Sequence, residues 1–151
     1  MGKRLRNYCA RHLFKSCAKD VNVEHMAYFG SGRNVVLGNR SSIGVHCTIP
    51  SDMIIGENVM MGPHCYFLGT LTHRHDRTDI PMIDQGSIDT RRPTVIGDDV
   101  WLGRECLMIG GKIIGSHSII GARSVISKDI PEYVVAVGNP IVIKKSRKKI
   151  L

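Results

Sequence analysis

The polar side chains best suited to chemistry in this chain lie close together in one segment near its middle. There, His73, His75, Asp76, Arg77 and Asp79 fall within a run of seven positions. A histidine side chain can accept a proton near neutral pH, so it commonly serves as a general base. The cluster therefore predicts proton-transfer chemistry. The alternative at this stage is that these histidines are ordinary exposed loop residues.

Two more histidines, His46 and His64, are separated by eighteen residues. In the repeat described below, that spacing stacks them on one face of adjacent coils, which would suit a pair of metal ligands. A zinc site needs a full set of ligands in the right geometry, and the sequence contains no CxxC pair to supply one. Metal catalysis is therefore the weaker alternative, and we expect no bound metal. His64 alone is expected to be a turn residue.

The chain has five cysteines, which is an odd number. Cys47, Cys65 and Cys106 all occupy the same small-residue position of the repeat, so we expect packed and unreactive thiols there. Cys9 and Cys17 lie outside the repeat. This usage is typical of a reducing compartment.

These residues are carried by a strict six-residue repeat. Twelve apolar residues mark it in two runs with the same phase: Leu37, Ile43, Ile49, Ile55, Met61, Phe67, Ile96, Leu102, Met108, Ile114, Ile120 and Ile126. Glycine usually follows, and a small residue often lies four positions further on, at Ser41, Cys47, Val59, Cys65, Val100, Cys106, Ser118 and Ser124. A period of six fits neither an amphipathic helix nor an alternating strand. It is typical of a hexapeptide β-helix, in which three hexapeptides form one triangular turn.

The repeat predicts a solid prism whose coils stack at the strand spacing of roughly 4.8 Å. We expect Ile43 to lie beneath Met61 and Leu102 beneath Ile120, with the small residues where the interior narrows at a corner. Such a prism has no internal cavity. An active site must therefore lie on its outside, under the polar segment or between subunits.

We interpret residues 1–151 as a single domain. Its predicted parts are an N-terminal helix within 1–20, a β-helix over 21–137 whose first coil at 21–36 is irregular, an extruded active-site loop at 69–93 and a basic C-terminal tail at 138–151. The helix is expected over residues 3–18, because Leu5, Cys9, Leu13 and Cys17 recur at every fourth position. It is interpreted as a cap on the open first coil. A basic amphipathic helix also suits an anionic membrane surface, and this alternative stays open.

The net charge of +8 and the pI near 9.5 indicate an anionic partner. The basic residues have no interleaved aromatic residues on which bases could stack, so nucleic acid is not expected. A phosphate-bearing cofactor or an acidic glycan fits as well. No apolar stretch follows Met1–Arg6, and no segment approaches the length of a membrane span, so we expect a cytoplasmic protein.

Residues 30–145 resemble the hexapeptide-repeat acyltransferases. The most specific segments are THRHDRTDIPM at 72–82, IGDDVWLG at 96–103, IIGARSVISKDIP at 119–131 and VAVGNP at 135–140. The chain is similar to the group that contains galactoside, maltose and serine acetyltransferases, and most of all to the capsule and exopolysaccharide O-acetyltransferases. The loop of that branch has the pattern NH-x-x-DRTDIPM, in which Thr72 here replaces the asparagine.

The resemblance implies an all-β fold, namely a left-handed parallel β-helix with an N-terminal helix, one long extruded loop and a short C-terminal tail. It also implies a homotrimer in which acetyl-CoA lies in a groove between adjacent prisms. His73 matches the catalytic histidine of the family, whose implied role is general base, whereas His75 is the less favoured candidate. Acceptor contacts are expected from the other polar loop residues and one corner histidine: His46, His75, Asp76, Arg77 and Asp79. His46 stands where the family often has an asparagine.

The same resemblance implies a set of acetyl-CoA contacts. Trp101 would lie against the pantetheine arm, and the amide of Arg104, just after Gly103, would face the thioester oxygen. Gly121 and Ala122 would let the arm approach the edge of a coil. The adenine and phosphates are expected near Lys128, Pro140, Lys144, Lys145 and Arg147. A solvated basic tail is the alternative for the last group.

The predicted function is therefore an acetyl-CoA-dependent O-acetyltransferase that moves an acetyl group directly to a hydroxyl of a sugar. The sugar acceptor is expected in a polysaccharide, a lipid-linked repeat or a sugar precursor. One alternative keeps the chemistry and changes the acceptor to serine or a hydroxylated antibiotic. Less favoured alternatives are a metal-dependent β-helix enzyme of the carbonic anhydrase type and a non-catalytic scaffold.

Overall fold

A computed structural model describes residues 2–148 of the chain. The chain winds into about six turns of a parallel β-helix, in which each regular turn has three short strands joined by tight corners. All twelve predicted axial residues point inward, and none is more than 7% exposed. The prediction that the six-residue repeat forms the core of a prism is therefore confirmed.

The strands form three faces. The first face contains β1 (Ser16–Cys17), β3 (Val36–Leu37), β5 (Ile54–Ile55), β10 (Val95–Ile96) and β13 (Ile113–Ile114). The second contains β2 (Val21–Val23), β4 (Ser41–Ile43), β6 (Met60–Met61), β11 (Trp101–Leu102), β14 (Ile119–Ile120), β16 (Val134–Val137) and β17 (Val142–Ser146). The third contains β7 (Tyr66–Phe67), β12 (Leu107–Met108) and β15 (Val125–Ile126), preceded by single bridges from Tyr28 to Thr48 and from Thr48 to Tyr66.

The stack continues without a break across the irregular middle of the sequence. Leu102 pairs with Ile120 one coil further on, as predicted. On its other side, Leu102 pairs with Met61, although these two residues are 41 positions apart instead of eighteen. The extra residues leave the prism at one corner and return to the same corner. The insertion therefore interrupts the repeat in the sequence but not in the core.

The small residues predicted at the corners are buried, and their polar atoms bond to the backbone of neighbouring coils. The Ser41 hydroxyl donates to the carbonyl of Gly56 at 2.6 Å, and the Cys65 thiol donates to the carbonyl of Gly103 at 3.2 Å. A buried polar group destabilises the fold unless it is hydrogen-bonded in this way. The predicted burial of Cys47, Cys65 and Cys106 is confirmed, and all three are free thiols.

The first coil differs from the prediction. It begins at β1 instead of residue 21, and Ser16, Val21 and Tyr28 each align with a residue twenty positions later. A twenty-residue turn still stacks on an eighteen-residue turn, because the two additional residues are taken up at the corners. The sixfold count fails there although the coil itself is formed.

The N-terminal helix, α1, spans Gly2–Leu13 and is therefore shorter than the predicted 3–18. Its orientation also corrects the prediction, because Leu5, Cys9 and Leu13 are exposed and Ala10 is the buried residue. The helix contacts β2 through polar groups. Asn7 accepts from the amide of Val23 at 3.0 Å and donates to the carbonyl of Val21, while Arg6 donates to the carbonyl of Val23 at 2.8 Å.

The open end of a solenoid presents unpaired backbone groups, and these must be satisfied. Asn7 and Arg6 supply the partners, so the helix turns its polar side toward the prism. Phe14 follows the helix and packs edge-on against Phe29, with ring centroids 4.9 Å apart. The helix thus lies against the first coil, but its apolar stripe faces outward.

The segment predicted as an extruded loop at 69–93 forms a defined arm. It contains an antiparallel hairpin of β8 (Leu71–His73) and β9 (Ser87–Asp89), with a 3-10 turn at Met82–Asp84 near its tip. None of the hairpin residues pairs with a strand of the prism in the described part of the chain. The arm therefore stands out from the corner where it leaves.

The predicted C-terminal tail at 138–151 is also more ordered than expected. After a cis Asn139–Pro140 peptide, β17 returns antiparallel to β16 and extends the second face. Arg147 and Lys148 then pack on a corner, with Lys148 Nζ 4.8 Å from the Tyr133 ring centroid. Lys149, the last basic residue of the predicted run, lies outside the described residues. The one α-helix found in residues 2–148 is neither long nor apolar enough to cross a bilayer.

Candidate active site

The second face carries a groove along the edge that it shares with the third. The cavity has a volume of about 480 Å³ and a mainly apolar lining. Its lining residues are Gly62, Pro63, Trp101, Leu102, Gly103, Arg104, Ile119, Ile120, Gly121 and Ala122. Five of the predicted acetyl-CoA contacts therefore lie along this one groove, where parallel pairing of β11 with β14 brings the two motifs together.

Trp101 forms one wall of the groove. It follows directly on the buried Val100, so its side chain points outward and is 51% exposed. The exposed Met60 and the half-buried Ile119 flank it on the paired strands. A large exposed aromatic ring beside aliphatic neighbours is a surface suited to a slender apolar chain.

The floor of the groove is a corner at which backbone approaches backbone closely. A Cβ on Gly103 would lie 2.5 Å from the amide nitrogen of Ala122, and one on Gly62 would lie 2.7 Å from the nitrogen of Arg104. Glycine is required at both positions because no side chain fits between the coils. Arg104 lies at the same corner and lines the groove.

The amide N–H of Arg104 donates no hydrogen bond within residues 2–148. Its counterpart one coil earlier is Pro63, which has no N–H. A backbone N–H without a partner beside an apolar groove can stabilise an oxygen that gains negative charge. The predicted role of the Arg104 amide stays a prediction.

Charge at the rim of the groove is partly neutralised. Glu105 accepts from Arg123 Nε at 2.6 Å and from Arg104 Nε at 3.1 Å. The hydrogen bond from Arg123 lowers the pKa of the Glu105 carboxyl, and the charges of both guanidinium groups lower it further. The two guanidinium groups carry two positive charges against the single negative charge of Glu105. The rim therefore has a net positive charge, which suits an anionic ligand.

The arm holds the predicted base, His73, away from the groove. His73, Met82 and Ile83 line a separate apolar cavity of about 390 Å³. All three residues are exposed, and Ile83 is 85% exposed. No residue lines both cavities. The arm leaves the prism between the third and first faces, whereas the groove lies between the second and third faces, so within one chain the predicted base does not line the groove.

The other polar arm residues are organised locally. Arg74 pairs with Asp76 at 3.0 Å, and Arg77 Nε donates to Asp79 at 2.9 Å. The hydrogen bonds from these arginines lower the pKa of each aspartate, so both are charged at neutral pH. The His75 ring, through Nδ1, lies 3.2 Å from the carbonyl oxygen of His73. The ring of His75, the less favoured candidate for the general base, therefore contacts the backbone of His73, the favoured one.

Gln85 is a positioning residue that sequence reasoning missed. Its side-chain oxygen accepts from the amide of Arg77 at 3.1 Å, and its nitrogen donates to the carbonyls of Arg77 and Ile80 at 2.8 and 3.1 Å. These three bonds tie together the two sides of the arm tip. No local signal marks Gln85, because the bonds depend on how the tip folds back. Pro63 in the groove was missed as well, although the repeat register places it one coil before Arg104.

The structure separates the remaining predicted acetyl-CoA residues from one another. Pro140 lies in the turn before β17, and Lys144 and Lys145 are exposed on that strand at the end of the second face. Lys128 is exposed at another corner, between the third and first faces. Lys144 and Lys145 therefore share a face with Trp101, whereas Lys128 does not.

His46 and His64 stack as the eighteen-residue spacing predicts. Their rings are 5.0 Å apart and within 3° of parallel, and His25 lies edge-on to His46 at 6.1 Å. Both residues adopt the left-handed backbone conformation at successive corners. Residues 2–148 contain no group of three or more His, Cys, Asp or Glu side chains arranged to hold a metal ion.

The three buried thiols form a column in the core beside this corner. Hydrogen bonding with Cys106 and Cys47, together with burial, raises the pKa of Cys65, whereas hydrogen bonding with Cys65 lowers the pKa of the other two thiols. All three thiols are buried, so a substrate in the groove does not reach them. The site therefore offers no accessible cysteine for an acyl-enzyme.

The prism, its glycine-lined groove and its protruding arm define a protein of the parallel β-helix class, and comparisons with known proteins show its family. The model of the family "Bacterial transferase hexapeptide (six repeats)" matches residues 93–128. A solved maltose O-acetyltransferase from Clostridium difficile 630 is 31% identical, with a TM-score of 0.82, over 97% of this chain and 76% of its own. The chain belongs to the hexapeptide-repeat acetyltransferase family, whose fold is a left-handed parallel β-helix.

Other relatives place the chain in the same family. YJL218W of Saccharomyces cerevisiae is 36% identical over 142 residues, which are 92% of this chain and 70% of the yeast protein. Galactoside O-acetyltransferase of Escherichia coli K12 is 32% identical over 134 residues, covering 86% of this chain. A galactoside acetyltransferase solved in complex with coenzyme A is 26% identical with a TM-score of 0.71, over 97% of this chain and 82% of its own.

Several relatives are considerably longer than this chain. The chain spans 63% of the E. coli enzyme and 37% of a Mycobacterium tuberculosis relative that is 35% identical over 117 residues, or 78% of this chain. The chain therefore spans less than two thirds of the length of these two relatives.

Proposed function

We propose that this protein transfers the acetyl group of acetyl-CoA to a hydroxyl group of a saccharide. The observation that carries the proposal is the single groove that collects Trp101, Gly103, Arg104, Gly121 and Ala122. Relatives named galactoside and maltose O-acetyltransferases support a sugar acceptor, and the galactoside acetyltransferase complex supports coenzyme A as the carrier.

The residues of the groove fit the cofactor. Acetyl-CoA, when bound, supplies the acetyl group as a thioester at the end of a thin pantetheine arm. Trp101 and Ile119 offer apolar contact to that arm, and the unpaired Arg104 amide offers a donor to the thioester oxygen. We assign Lys144, Lys145 and Pro140 to the nucleotide end, because lysines bind phosphates by charge and hydrogen bonds. Lys128 would serve the same end from a neighbouring prism.

In the proposed reaction, His73 accepts the proton of the acceptor hydroxyl. The hydroxyl oxygen of the acceptor attacks the thioester carbonyl carbon at the same time. The Arg104 N–H donates to the carbonyl oxygen as it gains negative charge. The C–S bond then breaks, and His73 returns the proton to the departing sulfur. A base of this kind contributes roughly 10²–10⁴-fold to the rate. Transfer is direct, since the thiols near the groove are buried.

The proposal requires a second copy of the chain, because one copy does not bring His73 to the groove. The exposed apolar residues of the arm favour this arrangement: Leu71, Met82, Ile83 and Ile88. A row of exposed apolar side chains is stabilised when another protein surface covers it. We propose a homotrimer in which the arm of one protomer closes the groove of the next. Acceptor recognition is assigned to His75, Asp76, Arg77 and Asp79 on that arm, and to His46.

The first test measures thiol release from acetyl-CoA with galactosides, maltose and uncapped oligosaccharides as acceptors. The released thiol is measured with a thiol-reactive dye, and a Cys9→Ser background removes the exposed thiol of the protein that would also react with it. We expect His73→Ala to lower kcat by roughly 10²–10⁴-fold while binding of coenzyme A is retained. His12→Ala on α1 removes an exposed histidine outside the groove and the arm, so it is the matched control and should keep most activity. Undiminished turnover in His73→Ala would remove this residue from the mechanism.

The second test separates a site within one chain from a site between copies. Ala122 is exposed in the groove, so Ala122→Trp should block acetyl-CoA without disturbing the core, and Ala122→Ser is its control. His73→Ala and Ala122→Trp should each be inactive alone. Refolded together, they should regain activity, because some mixed sites combine an intact arm with an intact groove. Failure of the mixture to recover activity would contradict the shared site.

A further inference from the structure

We propose that the outward face of α1 binds the surface of an anionic phospholipid membrane. The proposal is independent of the acetyl-transfer mechanism and concerns the opposite end of the prism from β17. A capping helix is expected to bury its apolar residues, but α1 presents them to solvent.

The outward stripe is continuous. Leu5, Tyr8, Cys9 and His12 recur at the three- and four-residue spacing that places side chains on one helical face. Leu5 is 64% exposed, and Tyr8 and Leu13 are about half exposed. The rings of Tyr8 and His12 pack together at 4.4 Å, so they form one surface.

An apolar cavity extends this stripe toward the first coil. Its lining residues from the helix are Leu5, Arg6 and Cys9, and those from the coil are Val23, Glu24, Met26, Ala27 and Phe29. Its volume is about 280 Å³. Exposed Met26 lies at its rim, so the apolar surface is wider than the helix alone. Insertion of one helical face into the boundary between headgroups and acyl chains needs a surface of this kind.

The charge carried by residues 3–19 themselves is of one sign, although Glu24 of the first coil pairs with Arg6 at 3.9 Å. Residues 3–19 include six lysines and arginines and no aspartate or glutamate. Arg4, Lys15 and Lys19 are exposed, and none of them forms an ion pair within residues 2–148. Clusters of four to eight basic residues on an amphipathic helix are typical of binding to anionic lipids.

The same charge decides between the candidate partners. A second copy that used this stripe would bring two basic clusters together, which opposes self-association. A nucleic acid would satisfy the basic residues but not the leucines, and α1 offers Tyr8 and His12 as its only aromatic rings. A membrane with anionic headgroups matches both the apolar stripe and its basic flanks.

The test is flotation of the full chain with vesicles of phosphatidylcholine mixed with phosphatidylglycerol, compared with vesicles of phosphatidylcholine alone. We expect binding to the mixed vesicles, weaker binding at high salt and little binding to phosphatidylcholine, because charge attraction is screened by salt. Equal binding to both kinds of vesicle would overturn the proposal.

Two variants test the stripe and the charges separately. The double variant Leu5→Gln with Leu13→Gln should lower the partition coefficient by roughly tenfold or more, since two exposed leucines no longer enter the bilayer. The double variant Arg4→Glu with Lys15→Glu should lower it further at low salt, by roughly fivefold for each charge lost. Gln is a good helix former and these sites are exposed, so the fold should be kept.

Matched controls lie elsewhere on the chain. Val142→Gln with Ile143→Gln makes a similar chemical change on exposed residues of β17, and Lys144→Glu with Lys145→Glu makes the charge change on the same strand at the far end of the prism. Both should leave vesicle binding unchanged. Binding that survives Leu5→Gln with Leu13→Gln would be merely electrostatic and would overturn the proposal. A change of oligomeric mass in that variant, seen by sedimentation velocity, would show that a second copy covers the stripe and would overturn it as well.

Discussion

The groove and the arm hold their residues by different physical means. In the groove, each strand pairs with a strand above and a strand below, so Leu102 is fixed between Met61 and Ile120. In the arm, β8 and β9 pair only with each other, and the ion pairs join residues two positions apart. The groove is therefore held by the whole stack, whereas the arm beyond its base is held by its own hydrogen bonds and ion pairs.

The difference bears on function. A cofactor groove gains from preorganised geometry, because little reorganisation is needed when the ligand binds. An arm that closes on another copy needs exposed apolar surface before assembly, and such segments belong to the less stable parts of a fold. In the proposed enzyme, the stack would supply precision and the arm would supply the contact between copies.

The largest expected effect is on the free energy of unfolding when one leucine of the stack is changed to alanine, compared with the same change in the arm. Leu102 is fully buried, so Leu102→Ala should lower the free energy of unfolding by about 2–5 kcal/mol. Leu71 is 68% exposed on the arm, so Leu71→Ala in the monomer should change it by less than about 0.5 kcal/mol. Urea denaturation measures both free energies of unfolding, at a protein concentration where the chain is monomeric. Equal losses would mean that the arm is as tightly integrated as the core.

A medium effect is expected from adding one methyl group at a glycine. In Gly103→Ala, the new Cβ would lie 2.5 Å from the Ala122 nitrogen, so the coils must separate, at a cost of about 1–3 kcal/mol. At Gly69, where the arm begins, nothing lies within 4 Å of such a Cβ. Gly69→Ala should therefore be neutral or stabilise by roughly 0.4–1 kcal/mol.

The two glycine variants are compared by thermal unfolding and by coenzyme A binding. Gly103→Ala should also weaken coenzyme A binding, since it shifts the floor of the groove, whereas Gly69→Ala should leave that binding unchanged. If Gly103→Ala unfolds like the unmodified protein, the backbone contact at this corner is looser than the structure indicates.

The smallest effect concerns the ion pair that ties the base of the arm to the stack. Arg92 donates to Asp129 at 2.6 Å, and this bond lowers the pKa of the Asp129 carboxyl. A carboxyl with a lowered folded-state pKa stabilises the fold above its ordinary value of 3.8, and that contribution is lost as the pH falls below it. Since the pair is largely exposed, its worth is below about 1 kcal/mol.

Arg92→Gln should raise the pKa of Asp129 toward its ordinary value, because only the amide of Ile113 still donates to the carboxylate. Carboxyl titration by NMR measures the change. Arg77→Gln is the control, since its pair with Asp79 lies wholly within the arm and should not affect Asp129. An unchanged pKa of Asp129 in Arg92→Gln would mean that the arm base is not anchored by this pair.

The stack was the part most accessible to prediction. Every axial residue from Leu37 to Ile126 could be identified because each coil repeats the same local environment, so a short-range pattern repeats as well. The stacking of His46 on His64 followed from the same register. The first coil escaped the pattern because it has twenty residues instead of eighteen, although its strands pair normally.

The candidate site was predicted unevenly for the same reason. Motif resemblance singled out Trp101 and Ala122, and the eighteen-residue register explains why they share a groove. The hairpin of the arm and the role of Gln85 could not be predicted, because no repeat constrains residues 69–93. The resemblance also singled out His73, whose encounter with a groove depends on a second copy.

By itself, the sequence determined the prism: its sixfold apolar rhythm, its glycine corners and the side chains that point outward from each strand. Only the tertiary structure decided how the ends are finished. The backbone groups at the open edge of β2 required polar partners, so Asn7 and Arg6 faced inward and the apolar stripe of α1 faced outward. At the other end, the exposed edge of β16 pairs with β17, which comes from the segment predicted as a C-terminal tail. A pattern within one segment records which residues are apolar, but the unpaired hydrogen bonds of its neighbour decide which side they face.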